Sequence, residues 1–447
     1  MIRGDLPLRI RKVRIVGNTR TRPHVVEDEL QDAYEAGTLQ DVYNGLVVGA
    51  EQLTNLGLFQ SVKVVMDAVE GSANETDVIV TVKEKNWFAL KAGTTTSLEP
   101  DESLRYSMAG MLLNVLGHGE VLDVGYNSPI SALASRAFNA KLAVPRIMGA
   151  DASFTLEALA DTTDLTKHCS LMELRRGVTA LARTFDRAHA LAVELVLRDI
   201  IPRRHPTVPY ASAASLSVVG DARPSVKGSV KYTYTDDRRD DPLMPTSGAY
   251  FQASAEGAGF LGDTAFAKGT FEIQNHIPLA LLTFSSFSSP LTLSLCASGG
   301  AVRPLGSCRR TCFSDRFELG GPMSLRGFKY FGVGPRAPKE EGGCEVGDAL
   351  GGDIRYTASA ALGFPFPVLA MGAAGWRGYL FTNLGNLTTW QTPLMRYARD
   401  TRVSVGMGAA WNFMGAGRLE INYAHVLRKS PLDVTGAFQF GFGLTFF

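Results

Sequence analysis

Residues 316–334, "RFELGGPMSLRGFKYFGVG", carry an arginine at their centre, Arg326, between a leucine and a glycine and among turn residues. Glycine-rich loops cradle phosphates when backbone N–H groups and a helix N-terminus converge, with a lysine and a hydroxyl completing the site. No Lys-Ser/Thr pair is present here and no amphipathic helical pattern follows, so the stretch is not a phosphate loop. Histidines 24, 118, 168, 189, 205, 276 and 425 are scattered without HExxH or HxH spacing. Surface or interface roles are expected for them rather than metal ligation or base catalysis. There is no GxSxG and no Walker lysine, hence no nucleophile elbow. The carboxylates of "TYTDDRRDDPLMPTSG" crowd a proline-bearing turn, which reads as a solvated loop rather than an acid/base pair.

The cysteines (Cys169, Cys296, Cys308, Cys312, Cys344) are too few and too irregular for a disulfide framework. Cys308 and Cys312 form a CxxxC without further zinc ligands nearby and are expected as free thiols or one local disulfide. No enzyme, metal, nucleotide or other cofactor is therefore expected. The formal net charge of +1 over 447 residues gives no electrostatic footprint for nucleic acid. Charged residues make up only 20% and there are 46 glycines, which suits strands and turns or a membrane protein. The first residues lack an apolar signal core, so entry by the general secretory route is not expected. The charge-free run 276–302 is long enough for a membrane helix, but Pro278, Pro290 and six serines argue against one.

What elements must position Arg326? The first 85 residues read as a small mixed unit. "LRIRKVRIVGN" alternates as a strand, Pro23 opens a helix with apolar Val25, Val26, Leu30 and Ala33, and Thr38 caps a second helix. Strands at 62–67 and 77–85 follow, giving the order β-α-α-β-β. From Trp87 onward helical periodicity disappears. Alternating segments of about ten residues take over, such as "LRYSMAGMLL", "HALAVELVLRD" and "AFQFGFGLTFF", the length of a tilted membrane strand. In "RVSVGMGAAW" one face carries Val403, Val405, Met407 and Ala409, and the other Ser404, Gly406 and Gly408. The remaining length suits about sixteen strands closed into a barrel. A large soluble β-sandwich would need a more charged outer face than these segments supply.

Three landmarks then fall in order. "RFELGGPMSLRGF" resembles the loop signature of the BamA-type outer-membrane protein-assembly superfamily, whose hallmark arginine-glycine-aromatic tip is here Arg326, Gly327 and Phe328, with Leu325 before it in the signature. "YTDDRRDDPLMPTSGAYFQASAEGAG" is similar to that family's Asp-x-Arg…Pro…Gly strand-turn-strand, and "GDALGGDIRYTASAALGFPFP" to the strand after the loop. "GNTRTRPHVVEDEL" and "LTNLGLFQSVKVVMD" resemble a POTRA (polypeptide-transport-associated) domain. A single such domain, and "FTNLGNL" at 381–387 with asparagine in place of an acid, resemble the mitochondrial branch, the core barrel of the sorting-and-assembly (SAM/TOB) machinery.

The resemblance implies an all-β transmembrane barrel of about 16 antiparallel strands at 87–447. One N-terminal α+β POTRA domain would occupy 1–86, and an inward-folding loop 316–347. It implies that Arg326 latches the loop inside the barrel. The acid of the bacterial pattern reads Gly363 here, which leaves Asp353 and Asn383 as the expected partners. It further implies a non-enzymatic insertase in the mitochondrial outer membrane, with the POTRA domain in the intermembrane space. β-barrel precursors, sibling subunits and lipids would be its partners, with no nucleic acid or nucleotide. Clients would pair at a lateral seam between a Gly/Thr-rich first strand (Trp87, Phe88, Leu90, Gly93) and an aromatic last one (Gln439, Gly441, Leu444, Phe446). The alternative is a protein-conducting or solute channel of an organellar or bacterial outer membrane, as in plastid import or two-partner secretion. A passive structural barrel is a third possibility.

Overall fold

The computed structural model describes all residues except 1–5, 70, 73, 97–103, 130–135, 147–151, 206–211, 280–290, 307, 309, 340–342, 367–374, 414–416 and 445–447. The N-terminal unit is a three-stranded sheet of order β1-β3-β2, from β1 (Arg9–Val16), β2 (Phe59–Ala68) and β3 (Glu75–Glu84). β1 runs parallel to β3 and β2 antiparallel to it. The helix expected from Pro23 is split into α1 (Pro23–Glu27) and α2 (Gln31–Glu35) by a 3₁₀ turn at Asp28–Leu30. α3 (Leu39–Asn55) starts where expected, with the Thr38 hydroxyl accepting from the Asp41 N–H at 3.2 Å. Its Val42, Leu46 and Leu53 pack on Val78, Val80 and Val82 of β3 in one apolar core. Gly49 lets α3 approach the preceding segment: a Cβ there would lie 2.6 Å from the Glu29 carbonyl oxygen.

Glu84 ends β3 and gathers the connection 19–21. It accepts from the Thr21 N–H at 2.8 Å and from the hydroxyls of Thr19 and Thr21 at 2.6 and 2.7 Å. Burial alone would raise this carboxyl, but the hydrogen bonds from Thr19, Thr21 and Arg20 hold it down at about 2. The unit sits on the barrel through several contacts, among them a hydrogen bond from the Arg22 N–H to the Gly117 carbonyl at 2.9 Å. Asn114 donates to the Thr21 hydroxyl at 2.7 Å, and Arg146 pairs with Glu29 at 2.8 Å.

The rest is one antiparallel sheet of sixteen strands in sequence order. They are β4 (Phe88–Thr96), β5 (Leu104–Leu113), β6 (Val121–Pro129), β7 (Arg136–Val144), β8 (Ala152–Asp164), β9 (Leu171–Thr184), β10 (His189–Pro202) and β11 (Ser225–Asp237). β12 (Gly248–Gly262), β13 (Phe266–Leu279), β14 (Leu291–Pro304), β15 (Ile354–Pro365), β16 (Trp376–Thr388), β17 (Arg402–Phe413), β18 (Gly417–Arg428) and β19 (Phe438–Leu444) follow. Inner-face groups of β10 (Arg198), β14 (Val302), β16 (Leu387), β18 (Glu420) and β19 (Gln439) all reach the one connection between β14 and β15, which only a sheet curled around it permits. The order ends at β4 and β19, and among the described residues no ladder joins those two strands.

Period-two alternation turns the usual rule of burial inside out. Leu380, Leu384, Met407, Tyr423, Phe438 and Phe440 are exposed on the outer face, while Asn383, Ser404, Glu420 and Asn422 are buried inside. The charge-free run 276–302 contributes the end of β13 and most of β14. Among the described residues no helix is long and apolar enough to cross a membrane.

Candidate functional site: a loop latched to the inner wall

The connection from β14 to β15, residues 305–353, crosses the barrel interior. Its near end is anchored by Asp315, which accepts both Nη groups of Arg198 on β10 at 2.8 and 3.0 Å; each side chain is 4% exposed. Arg316 pairs with Asp221 at 3.0 Å, and Phe313, Phe331 and Ala349 pack with Leu165, Ile200 and Val218. Gly320 (φ 128°) and Gly321 (φ 98°) turn the backbone, and a Cβ on Gly320 would lie 2.0 Å from the Lys329 carbonyl oxygen.

The tip is held through both its side chain and its backbone. The Arg326 Nη2 donates to Glu420 Oε2 at 2.9 Å, and its guanidinium lies 5.5 and 5.2 Å from the rings of Tyr379 and Phe381. The Arg326 carbonyl accepts from the Ser404 hydroxyl at 2.6 Å. Gly327, at φ 92°, comes within reach of Ala424, Val426 and Ser404, where a Cβ would sit 3.1–3.3 Å from all three. Its N–H donates to Gln439 Oε1 at 2.7 Å, and Gln439 Nε2 donates to the Phe328 carbonyl at 2.7 Å. Leu325 and Phe328 are fully buried against Leu319, Val333 and Leu387.

Glu420 is the hub. Buried to 1% exposure, it also accepts from Tyr379 Oη at 3.0 Å, while its second oxygen pairs with Arg418 Nη2 at 2.6 Å. A carboxylate so placed offsets its desolvation only because it has two guanidiniums and a phenol for company.

The expected latch partners are corrected in part. Asp353 lies at the start of β15, where its carboxylate accepts from the Trp390 N–H at 3.4 Å, and it does not meet the arginine side chain. Asn383 does reach the loop, but through the backbone: with its amide turned to satisfy both groups, it accepts from the Arg326 N–H at 3.2 Å. The counter-charge comes from β18 instead, because Glu420 shares the inner face of "RLEINYA" with Asn422 and Ala424.

Of the seam residues, Trp87, Phe88 and Leu90 are exposed and Gly93 pairs with Ser107 on β5. Gln439 and Gly441 face inward, Gly441 beneath Pro322 and Met323. Leu444 stands opposite Gly417, and Phe446 lies outside the described residues. Glu420, Tyr379, Ser404 and Arg418 were not anticipated. The available signal was a lone acid two residues from an asparagine on a strand with apolar alternate positions.

The five cysteines are free. Among the described residues no group of histidines, cysteines and acids could hold a metal ion.

A sixteen-stranded sheet with an arginine-tipped loop folded inside it defines a BamA-like outer-membrane β-barrel protein. The Omp85 superfamily domain matches residues 114–446, and the chain belongs to that superfamily. Its relatives include sorting and assembly machinery component 50 homolog A of Xenopus laevis, 27% identical over 98% of this chain and 90% of that protein. The human homolog is 26% identical with the same coverage, and a SAM50-like protein of Schizosaccharomyces pombe is 27% identical over 99% of this chain and 92% of its own. Among solved structures, BamA from Haemophilus ducreyi lacking POTRA domains 1–3 superposes with a TM-score of 0.77 at 18% identity, covering 98% of this chain and 84% of that one. CdiB from Acinetobacter baumannii gives 0.55 at 12% identity, covering 98% and 73%.

Proposed function

We propose that this chain is a sorting-and-assembly core subunit that inserts β-barrel precursors into the mitochondrial outer membrane, without catalysing a covalent reaction. The observation that carries this reading is the pair of sheet ends, β4 and β19, within an Omp85 fold. An unpaired strand edge presents a row of N–H and C=O groups that an incoming strand can satisfy by β-augmentation. Phe88 and Leu90 on β4 and Phe438 and Phe440 on β19 present apolar faces outward beside that edge, as a client entering from lipid requires. The N-terminal unit acts as a POTRA domain in the intermembrane space, docking clients or sibling subunits; its β-α-α-β-β order and β1-β3-β2 sheet support this.

A conducting pore is the weaker reading, because the loop and its packed cap at Leu165, Ile200, Val218, Phe313 and Phe331 fill one end of the barrel. The two readings part in one experiment. Cysteines placed along β4 and β19 are tested for crosslinks to a precursor carrying a C-terminal β-signal, before and after a disulfide locks the two strands together. Crosslinking at the edge and arrest of insertion by the lock are expected. Undiminished insertion through a locked seam would sink the proposal.

A further inference from the structure

The turn between β11 and β12, residues 238–247, enters the barrel from the end opposite the one from which the 305–353 loop descends, since successive strands alternate in direction. It is stiff. Asp240 accepts from the N–H groups of Thr246 and Ser247 at 2.9 and 3.1 Å, and Asp241 accepts from the Leu243 N–H at 2.8 Å. Far from being a solvated rim, it buries Leu243 and Met244 against Tyr379, Phe381, Ala410 and Ala424. Those two rings are the ones beneath the Arg326 guanidinium. Its backbone is gripped as well: the Leu243 carbonyl accepts from Arg418 Nη1 at 3.1 Å and the Met244 carbonyl from Arg377 Nη1 at 3.3 Å.

Arg418 therefore has one hand on the turn and the other on Glu420, whose remaining oxygen holds Arg326. We propose that the 238–247 turn is a positioning element for the arginine loop, holding it docked through the chain Leu243–Arg418–Glu420–Arg326 and through the shared Tyr379 and Phe381 rings. The two ends of the barrel are coupled in this way. Displacing the turn frees Arg418 to rotate, leaves Glu420 held from one side, and loosens the loop tip from the far end. Arginine suits the task because its planar fork bonds two differently placed acceptors at once, which a lysine cannot do with fixed geometry.

The coupling rests on the docked loop but requires no client, so it stands or falls separately from the insertase reading. The test is amide hydrogen exchange on the full-length protein in lipid nanodiscs. Three variants are compared with wild type: Arg418→Gln, Arg418→Lys, and replacement of residues 239–246 by a two-residue Asn-Gly turn. Exchange at the loop-tip amides of Gly327 and Lys329, both hydrogen-bonded in the docked state, is expected to rise at least about tenfold for Arg418→Gln and for the shortened turn. An intermediate rise is expected for Arg418→Lys. The Phe317–Gly352 backbone pair at the other end of the loop is the internal control, expected to stay protected. Combining the shortened turn with Arg418→Gln should add little to either alone, because both break one chain. Unchanged exchange at the tip overturns the proposal. So does equal acceleration at the Phe317–Gly352 pair, which would report only general loosening.

Discussion

The N-terminal unit and the barrel interior solve opposite problems with the same alternating strands. In the unit, β3 turns Val78, Val80 and Val82 inward against α3, and ion pairs such as Arg11–Asp77 stay at the surface. In the barrel, β16 and β18 turn Leu380, Leu384 and Tyr423 outward and bury Asn383, Glu420 and Asn422. Water drives the first arrangement and lipid permits the second. Packed area dominates the core of the unit, whereas the barrel interior adds buried, paired charge to its apolar clusters.

That contrast can be broken at its strongest point first. Glu420→Ala strands Arg326 and Arg418 together in a buried site, and removing one partner of such a group costs about 3–5 kcal/mol. Arg326→Ala is the milder change, because Glu420 keeps Arg418. Protease cleavage within residues 316–335 on intact membranes should therefore be fastest in Glu420→Ala; the reverse ranking would remove Glu420 from the centre.

Leu53→Ala in α3 should cost about 2–5 kcal/mol in the N-terminal unit, while Leu380→Ala on the outer face should cost far less, because lipid replaces the lost contacts. Unfolding of each variant in nanodiscs checks the pair, and equal losses would erase the contrast. Glu84→Gln exchanges a charge-assisted cluster for a neutral one and should cost about 2 kcal/mol. The same group gives the unit a pH dependence. Its carboxyl lies at about 2 against an ordinary 4.5, so its contribution is fully present above about 4.5 and is lost as the pH falls toward 2. Exchange at the Thr19–Thr21 amides through that window reads it directly. Smallest, Thr38→Ala should lose about 1 kcal/mol through the cap of α3, visible as fraying of its first turn.

Much of this was legible in the residues, and the rest has identifiable causes. Alternation in "LRYSMAGMLL" and "RVSVGMGAAWNF" coincides with β5 and β17 end to end, because period two is a local property of the chain. The two faces of β17 were also readable: Ser404 is buried on the small-residue face with Gly406 and Gly408, and it meets the loop there. The partner of Arg326 was not readable, since Glu420 lies 94 residues away and only strand register brings them together. The break in the first helix escaped notice too, because Val25, Val26, Leu30 and Ala33 keep a helical spacing across the 3₁₀ turn. The "DDRRDD" turn looked solvated because its charges are conspicuous. Its buried residues are the apolar run Leu243, Met244 and Pro245.

Gln439 has a consequence for how the barrel is built. Its amide answers one donor and one acceptor of the loop tip, the Gly327 N–H and the Phe328 carbonyl. The loop tip and the last strand are 112 residues apart in the chain, and this one side chain matches them to each other. A one-residue slip of β19 would bring Phe438 or Phe440 to that spot, and neither side chain can accept or donate there. The arginine loop is thus also a gauge that accepts the terminal strand in a single alignment and rejects its neighbours by one residue.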